Sequence, residues 1–264
     1  MRFSGQEMVS KNHHYLPQFY LKQWANEKDQ VWTYFKNRDP IQIKVRNIGS
    51  ENYLYSIGRN DYLEQKWLAP IDGNLSTIFD EVRGRDLIDE KTILKLKAFL
   101  IISLARNPKT KKVSKMIMDF DATGTPKRNP FAQVLQFRTK VLAKEIEPLN
   151  VQILQIPDDL NFSFVTSNQP FFVVGKPENQ FAENPVSEKL IQQSSIQICW
   201  MPLTPKYLIF YTSNEVINQV VKADSFEKLL NINKNLVLGA DKYLIFNSDS
   251  LFIDQPELEN LFNK

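Results

Sequence analysis

A chain of 264 residues, 42% hydrophobic and 24% charged, has ordinary globular composition and enough length to bury a sizeable core. Its 33 basic and 30 acidic residues leave a net charge of +3, too near balance to require a polyanionic partner, so only a local basic patch is left open. One cysteine, Cys199, excludes an intramolecular disulfide; with only two histidines beside it an ordinary Cys/His zinc site is excluded, and 8 glycines form no Gly-rich loop for P-loop or nicotinamide binding. No window approaches the ~20 apolar residues of a membrane span and the N-terminus lacks a secretory apolar segment, so a cytoplasmic protein without a membrane partner is expected.

The stretch NHHYLPQFYLKQW, residues 12–24, carries both histidines side by side. After Pro17 it reads as a short helix, because proline is tolerated in a first turn. VWTYF (31–35) and IQIKV (41–45) alternate with period two around the turn-like KNRDP and predict a hairpin, and YLYSI (53–57) predicts a third strand. From Asp61 to about Val82 the apolar spacing is helical, interrupted by Pro70 and Gly73 into two helices. KTILKLKAFLIISLARNP predicts a central, largely buried helix ending before Pro108, and FAQVLQFRTKVLAKEIEPL a second one ending near Pro148, with the loop-like DFDATGTPKRNP (119–130) between them.

Past residue 150, VQILQI, FSFVT, FFVV, SIQICW and YLIFY read as strands of an antiparallel sheet. GKPENQFAENPVSEKL (175–190) is a long polar insert, a helix is expected between Ser213 and Val237, and DKYLIFNS closes as a strand. Cys199 lies within IQICWMPL and reads as a small buried hydrophobe. Helices early and strands late predict an α+β fold: an N-terminal hairpin and helices packed with a C-terminal, mainly antiparallel sheet. The expectation is one domain over 1–264 with two lobes, roughly 1–150 mainly helical and 151–264 mainly sheet.

HHYLPQFYL, ENYLY, LEQKWLAPID, LARNP, FVTSNQP, MPLTP and the late pair Asn233 and Ala240 occur in that order. Together they resemble the bacterial domain-of-unknown-function 4238 family, from residue 11 to about 250. In that family a His-Tyr-x-Pro-x-Phe-Tyr-Leu opening, a Leu-Glu…Ile-Glu helix, a helix ending in Arg-Thr-Pro, a Thr-Ser-Asp-x-Pro strand end and a Pro-Leu-Ser-Pro segment recur. The resemblance carries the family's histidine onto His14, its glutamates onto Glu64 and Asp72, its arginine onto Arg106 and its Thr-Ser onto Thr166 and Ser167. Two positions depart: Asn168 stands where the family tends to have Asp, and Ser103 where it usually has Gln. Asn carries no charge to hold a hard cation, so a metal site centred on residue 168 is not expected, and Asn168 would orient a ligand or cap a turn.

Each group has two readings on its own chemistry. His14 can transfer protons near neutral pH, tuned by Glu51, Glu64 or Asp72, or it can be a half-buried imidazole bonded to a backbone carbonyl; His13 is expected to face solvent. Arg106, at a helix end, can clamp an anion with Lys109, Lys111, Lys112 and Lys115 on a basic rim, or pair with a carboxylate and cap the helix. Thr166, Ser167 and Asn168 can line a pocket or close the turn before Pro170, and Ser167 lacks the Gly-x-Ser-x-Gly elbow of a nucleophile. The Asp-x-Asp of DFDATG is a weak carboxylate signal for a divalent cation, so such a cofactor is neither assigned nor excluded.

The expected function is therefore a hydrolase or nuclease on RNA, DNA or a nucleotide, with His14, Arg106, Asp72 and Glu64 catalytic and Gln18, Thr166, Ser167, Asn168 and Asn233 binding substrate. The alternative is a non-catalytic sensor of a nucleotide or peptide, with a partner protein, as in a bacterial defence or toxin system. A third reading makes the motifs a folding signature, with His14's segment plugging the sheet and Arg106 and Asp72 forming a buried ion pair.

Overall fold

The computed structural model describes residues 12–55, 63–107, 130–175, 196–216, 218–247, 257–258 and 260–261. The chain opens with strand β1 (Asn12–His14), helix α1 (Gln18–Leu21) and a 3-10 turn (Lys22–Trp24). Pro17 caps α1, and behind it Tyr20, Leu21 and Trp24 are fully buried. The hairpin follows as β2 (Gln30–Phe35) and β3 (Ile41–Lys44), then a 3-10 turn (Val45–Asn47) and β4 (Ser50–Asn52). The third strand thus falls at β4 and not at 53–57: Tyr53 takes φ 56°, which turns the chain away, and residues 56–57 lie outside the described ones.

The next helical stretch is in three pieces: a π-helical turn (Leu63–Leu68), α2 (Ala69–Leu75) and α3 (Ile78–Val82). Pro70 sits in the first turn of α2, where no backbone donor is needed, so the chain breaks at Ser76 and Thr77 instead. Helix α4 (Glu90–Ala105) is capped by Asp89, whose carboxylate accepts the Thr92 N–H at 2.7 Å, and it buries Leu96, Phe99, Leu100 and Leu104. Helix α5 (Pro130–Ile146) packs on it. The expected loop at 119–124 and Lys109 to Lys115 lie outside the described residues.

The later part comprises β5 (Asn150–Gln155), β6 (Thr166–Ser167), β7 (Phe172–Gly175), β8 (Ile196–Pro202), β9 (Tyr207–Thr212), β10 (Val220–Lys222), α6 (Phe226–Gly239) and β11 (Tyr243–Phe246). Of FSFVT only Thr166 is in a strand, because residues 161–165 run irregularly under α6; the stretch 213–237 holds β10 before its helix; the polar insert at 176–195 is outside the described residues. Five strands form a sheet ordered β10-β5-β9-β8-β7, antiparallel except for the parallel edge pair β10–β5. A second sheet is ordered β3-β2-β11-β6, and β1 pairs with β4. The architecture is α+β, and the early hairpin shares a sheet with the last strand, so the first and last thirds of the chain are joined by backbone ladders.

One core lies between α1, α3, α4 and the five-stranded sheet, where Phe19, Tyr20, Phe79 and Phe99 form an aromatic group and Cys199 is fully buried. A second gathers Leu229, Leu236 and Val237 of α6 with Phe162, Phe164 and Leu244. Side chains of residues 15–24 fasten the opening segment to the later strands. The Tyr20 hydroxyl donates to the Pro202 carbonyl at 3.0 Å and meets the Thr166 hydroxyl at 2.6 Å. Trp24 Nε1 donates to the Phe164 carbonyl at 3.1 Å. The hydroxyls of Tyr15 and Tyr243 are 2.7 Å apart, and the Tyr243 oxygen also accepts the Gly49 N–H at 3.1 Å. Gly49 has φ 70° and a Cβ there would lie 2.9 Å from Leu16 Cβ, so no other residue fits without displacing Leu16.

Because Tyr20 is fully buried, Tyr20→Phe removes one hydroxyl and strands two partners. Urea unfolding is expected to show a loss of about 1–3 kcal/mol, the cost of unsatisfied buried groups; a change within a few tenths would refute the fastening role.

Candidate functional site

Successive residues of β1 point to opposite sides, and this separates the two histidines. His13 is fully buried: its Nδ1 accepts the Tyr55 N–H at 2.8 Å and its ring stacks on Tyr55 with centroids 5.5 Å apart and planes 8° apart. The expectation that His13 faces solvent is thereby corrected, because pairing of β1 with β4 turns its side chain inward. A nitrogen that accepts a backbone N–H has no lone pair left for a proton, so His13 is a structural imidazole.

His14 is half-buried and forms a hydrogen bond with the backbone of Arg46. A carbonyl only accepts, so the ring nitrogen facing Arg46 carries the proton. Nε2 is sheltered from solvent and has no hydrogen-bond partner among the described residues. The proton therefore sits on Nδ1 and the lone pair on Nε2. Burial is the largest influence and lowers the imidazole's pKa below the usual value; the Arg46 carbonyl and Asp72 oppose it, while His13 and Arg106 add to it. His14 is neutral at pH 7.

Arg106 caps α4 and has no exposed surface. Its Nη1 donates to Asp72 Oδ2 at 3.0 Å and its Nη2 lies 2.8 Å from Asp72 Oδ1, a charge contact without the alignment of a good hydrogen bond. Nη2 also approaches the Leu68 carbonyl at 3.4 Å, while Nε has no partner among the described residues. Burial alone would lower the guanidinium's pKa, but Asp72, then Tyr55 and Glu64, outweigh it and the net direction is upward. The guanidinium is committed to Asp72 rather than open as an anion clamp. Asp72 lies in the first turn of α2 and Glu64 in the first turn of the preceding π-helical turn, a kind of irregularity frequent at functional sites.

The structure thus brings His14, Asp72 and Arg106 within electrostatic reach of one another, with Glu64 acting on Arg106 and on Tyr55. Tyr55 joins them: its hydroxyl points at the His14 carbonyl at 3.5 Å. Sequence reasoning missed Tyr55 and the Arg46 carbonyl. Strand alternation would have separated His13 from His14, but the turn that returns Tyr55 and Arg46 to them leaves no comparable sequence signal.

The remaining residues sit elsewhere. Asn168 Oδ1 accepts the backbone N–H groups of Asp241, Lys242 and Tyr243 at 3.1, 2.9 and 3.4 Å, so it caps the turn into β11. Asn233 clamps residues 163–165, its Oδ1 accepting Val165 N–H at 3.2 Å and its Nδ2 donating to Ser163 O at 2.9 Å. Ser167 Oγ closes on the Gln169 backbone at 2.6 and 3.0 Å, and Thr166 is held by Tyr20. All four are buried with polar atoms used internally, whereas Gln18 is exposed on α1. Glu51 pairs with Lys242 at 3.3 Å, and burial pushes the Cys199 thiol up, which makes it a poor nucleophile. Among the described residues no group of three or more His, Cys, Asp or Glu side chains could hold a metal ion, and no helix is long and apolar enough to cross a membrane.

A family model described as "Protein of unknown function (DUF4238)" matches residues 12–140, in agreement with the resemblance read from the motifs. The matched stretch contains His14, Glu64, Asp72 and Arg106 and ends before Thr166, Ser167, Asn168 and Asn233. Neither curated proteins nor solved structures gave a match.

Arg106→Ala leaves the Asp72 carboxylate without its partner and should cost about 3–5 kcal/mol in chemical denaturation; a loss under 1 kcal/mol would show that the pair carries little of the fold. The lowered pKa of His14 gives a second expectation, with its sign. Below the unfolded value of about 6.5 the unfolded chain takes up this proton before the folded one, so stability is full above that pH and falls as the pH drops. Thermal melts between pH 7.5 and 5 should show this component in the wild type and lack it in His14→Gln.

Proposed function

We propose that the protein is a hydrolase or nuclease acting on a phosphate-containing substrate, with His14 as its proton-transfer group. One observation carries the reading: a neutral imidazole whose Nδ1–H is held by the Arg46 carbonyl offers the Nε2 lone pair beside a buried carboxylate–guanidinium pair. That is the arrangement of a general base. Nε2 takes a proton from a water or hydroxyl as its oxygen bonds to phosphorus; the bond from phosphorus to the leaving oxygen breaks, and that oxygen takes up a proton. The Asp72 charge stabilises the imidazolium formed, and Arg106 positions Asp72; in this role Arg106 acts through the carboxylate and does not touch substrate.

A non-catalytic binding module is the second reading. It is favoured by the internal use of Thr166, Ser167, Asn168 and Asn233, which leaves the later sheet without free polar groups at these positions.

General-base catalysis contributes about 10²–10⁴-fold, so His14→Asn should lower kcat on RNA, DNA or nucleotide by that factor with a melting temperature near the wild type's. The rate should rise with pH along a limb centred below the ordinary histidine value and be flat at neutral pH. Incubation of purified protein with each substrate class, analysed by mass, checks both; a nucleotide bound and returned unaltered supports the second reading instead.

A further inference from the structure

We propose that Arg46 is the residue that holds the substrate's phosphate against His14, an inference that rests on the reading above and names the anion-binding group it needs. Arg46 lies in the 3-10 turn Val45–Asn47, and its carbonyl bonds the His14 imidazole, so its Cα is fixed beside the candidate base. Its side chain is exposed and makes no ion pair among the described residues. The other cations nearby are committed, Arg106 to Asp72 and Lys242 to Glu51.

A phosphoryl group receiving a nucleophile needs donors for its non-bridging oxygens. The sequence offered Arg106 for this, but both of its Nη atoms face Asp72 and Leu68. A guanidinium anchored at residue 46 can meet two phosphate oxygens at once while the backbone of the same residue fixes the imidazole's tautomer. Lys44, exposed and without an ion pair among the described residues, lies two positions earlier and adds charge on the same segment. The opposing carboxylate is Glu64, whose charge acts on Arg106 and Tyr55. One turn thus supplies both the orientation of the base and the anion contact, which places the phosphorus next to the atom that activates its attacker.

The test uses the full chain and three probes: a fluorescein-labelled single-stranded RNA, adenosine monophosphate and inorganic phosphate. Arg46→Ala should weaken binding of the tightest probe about tenfold, Arg46→Lys should recover much of it, and the surface control Lys140→Ala on α5 should bind as the wild type does. If RNA is that probe, the slope of log affinity against log salt should also fall by about 0.7, one phosphate contact. Which probe binds tightest separates a polynucleotide from a free nucleotide or phosphate as the source of the anion. The inference is overturned if Arg46→Ala binds every probe like the wild type, or if the wild type binds none. Turnover is scored separately: loss of turnover in His14→Asn with unchanged KM in Arg46→Ala overturns the inference and leaves the hydrolytic reading standing. Arg46-dependent binding without turnover does the reverse.

Discussion

A guanidinium with no exposed surface constrains everything around it. Moving such an ion out of water costs several kcal/mol even after the protein relaxes, so Arg106 at the end of α4 is tolerable only where a carboxylate meets it at close range. Asp72 does so with both oxygens, and the Leu68 carbonyl accepts the remaining contact. These partners lie on either side of the junction between the π-helical turn and α2, which is therefore pinned to the end of a helix more than thirty residues later in the chain. The same pair then becomes part of the electrostatic surroundings of His14.

His14 reaches that place because the opening segment is fastened from its other end. Tyr15, Tyr20 and Trp24 each spend a polar atom on the later strands while burying their rings. An aromatic side chain with one polar handle is suited to this, since area burial supplies the stabilisation and the handle selects one register. Labour within the opening motif is thus divided. Its aromatic residues set position, His13 closes onto Tyr55, and only His14 keeps a nitrogen uncommitted.

Much of the fold was legible. The period-two hairpin, the long apolar α4 and the late run of strands came from patterns that depend on local chemistry, and α+β followed from their order. What was not legible depended on tertiary pairing. Nothing local shows that β2 will join β11, that Tyr53 will turn the chain short of a third strand, or that residues 161–165 will lie unpaired beneath α6. The site divides the same way. His14, Asp72 and Arg106 were visible as chemistry in a family pattern. The roles of Asn168 and Asn233 were not, because an amide that caps a turn and one that waits for a ligand look alike in sequence. His13 illustrates the limit most simply: its burial is decided by which face of β1 meets the Tyr55 turn.

The pairing of Asp72 with Arg106 also decides what kind of base His14 can be. A carboxylate facing an imidazole alone would raise its pKa and leave it protonated part of the time at neutral pH. Here the carboxylate's charge is shared with a guanidinium that itself acts on His14 in the opposite sense, and burial outweighs the sum. The imidazole is consequently a weaker base but one that is always unprotonated at pH 7. By Brønsted behaviour that exchange favours attackers whose proton becomes acidic as they bond to an electrophile, a water or hydroxyl meeting phosphorus, over the removal of a proton from carbon, which demands a stronger base. The charge arrangement around one nitrogen therefore narrows the chemistry further than the presence of a histidine does.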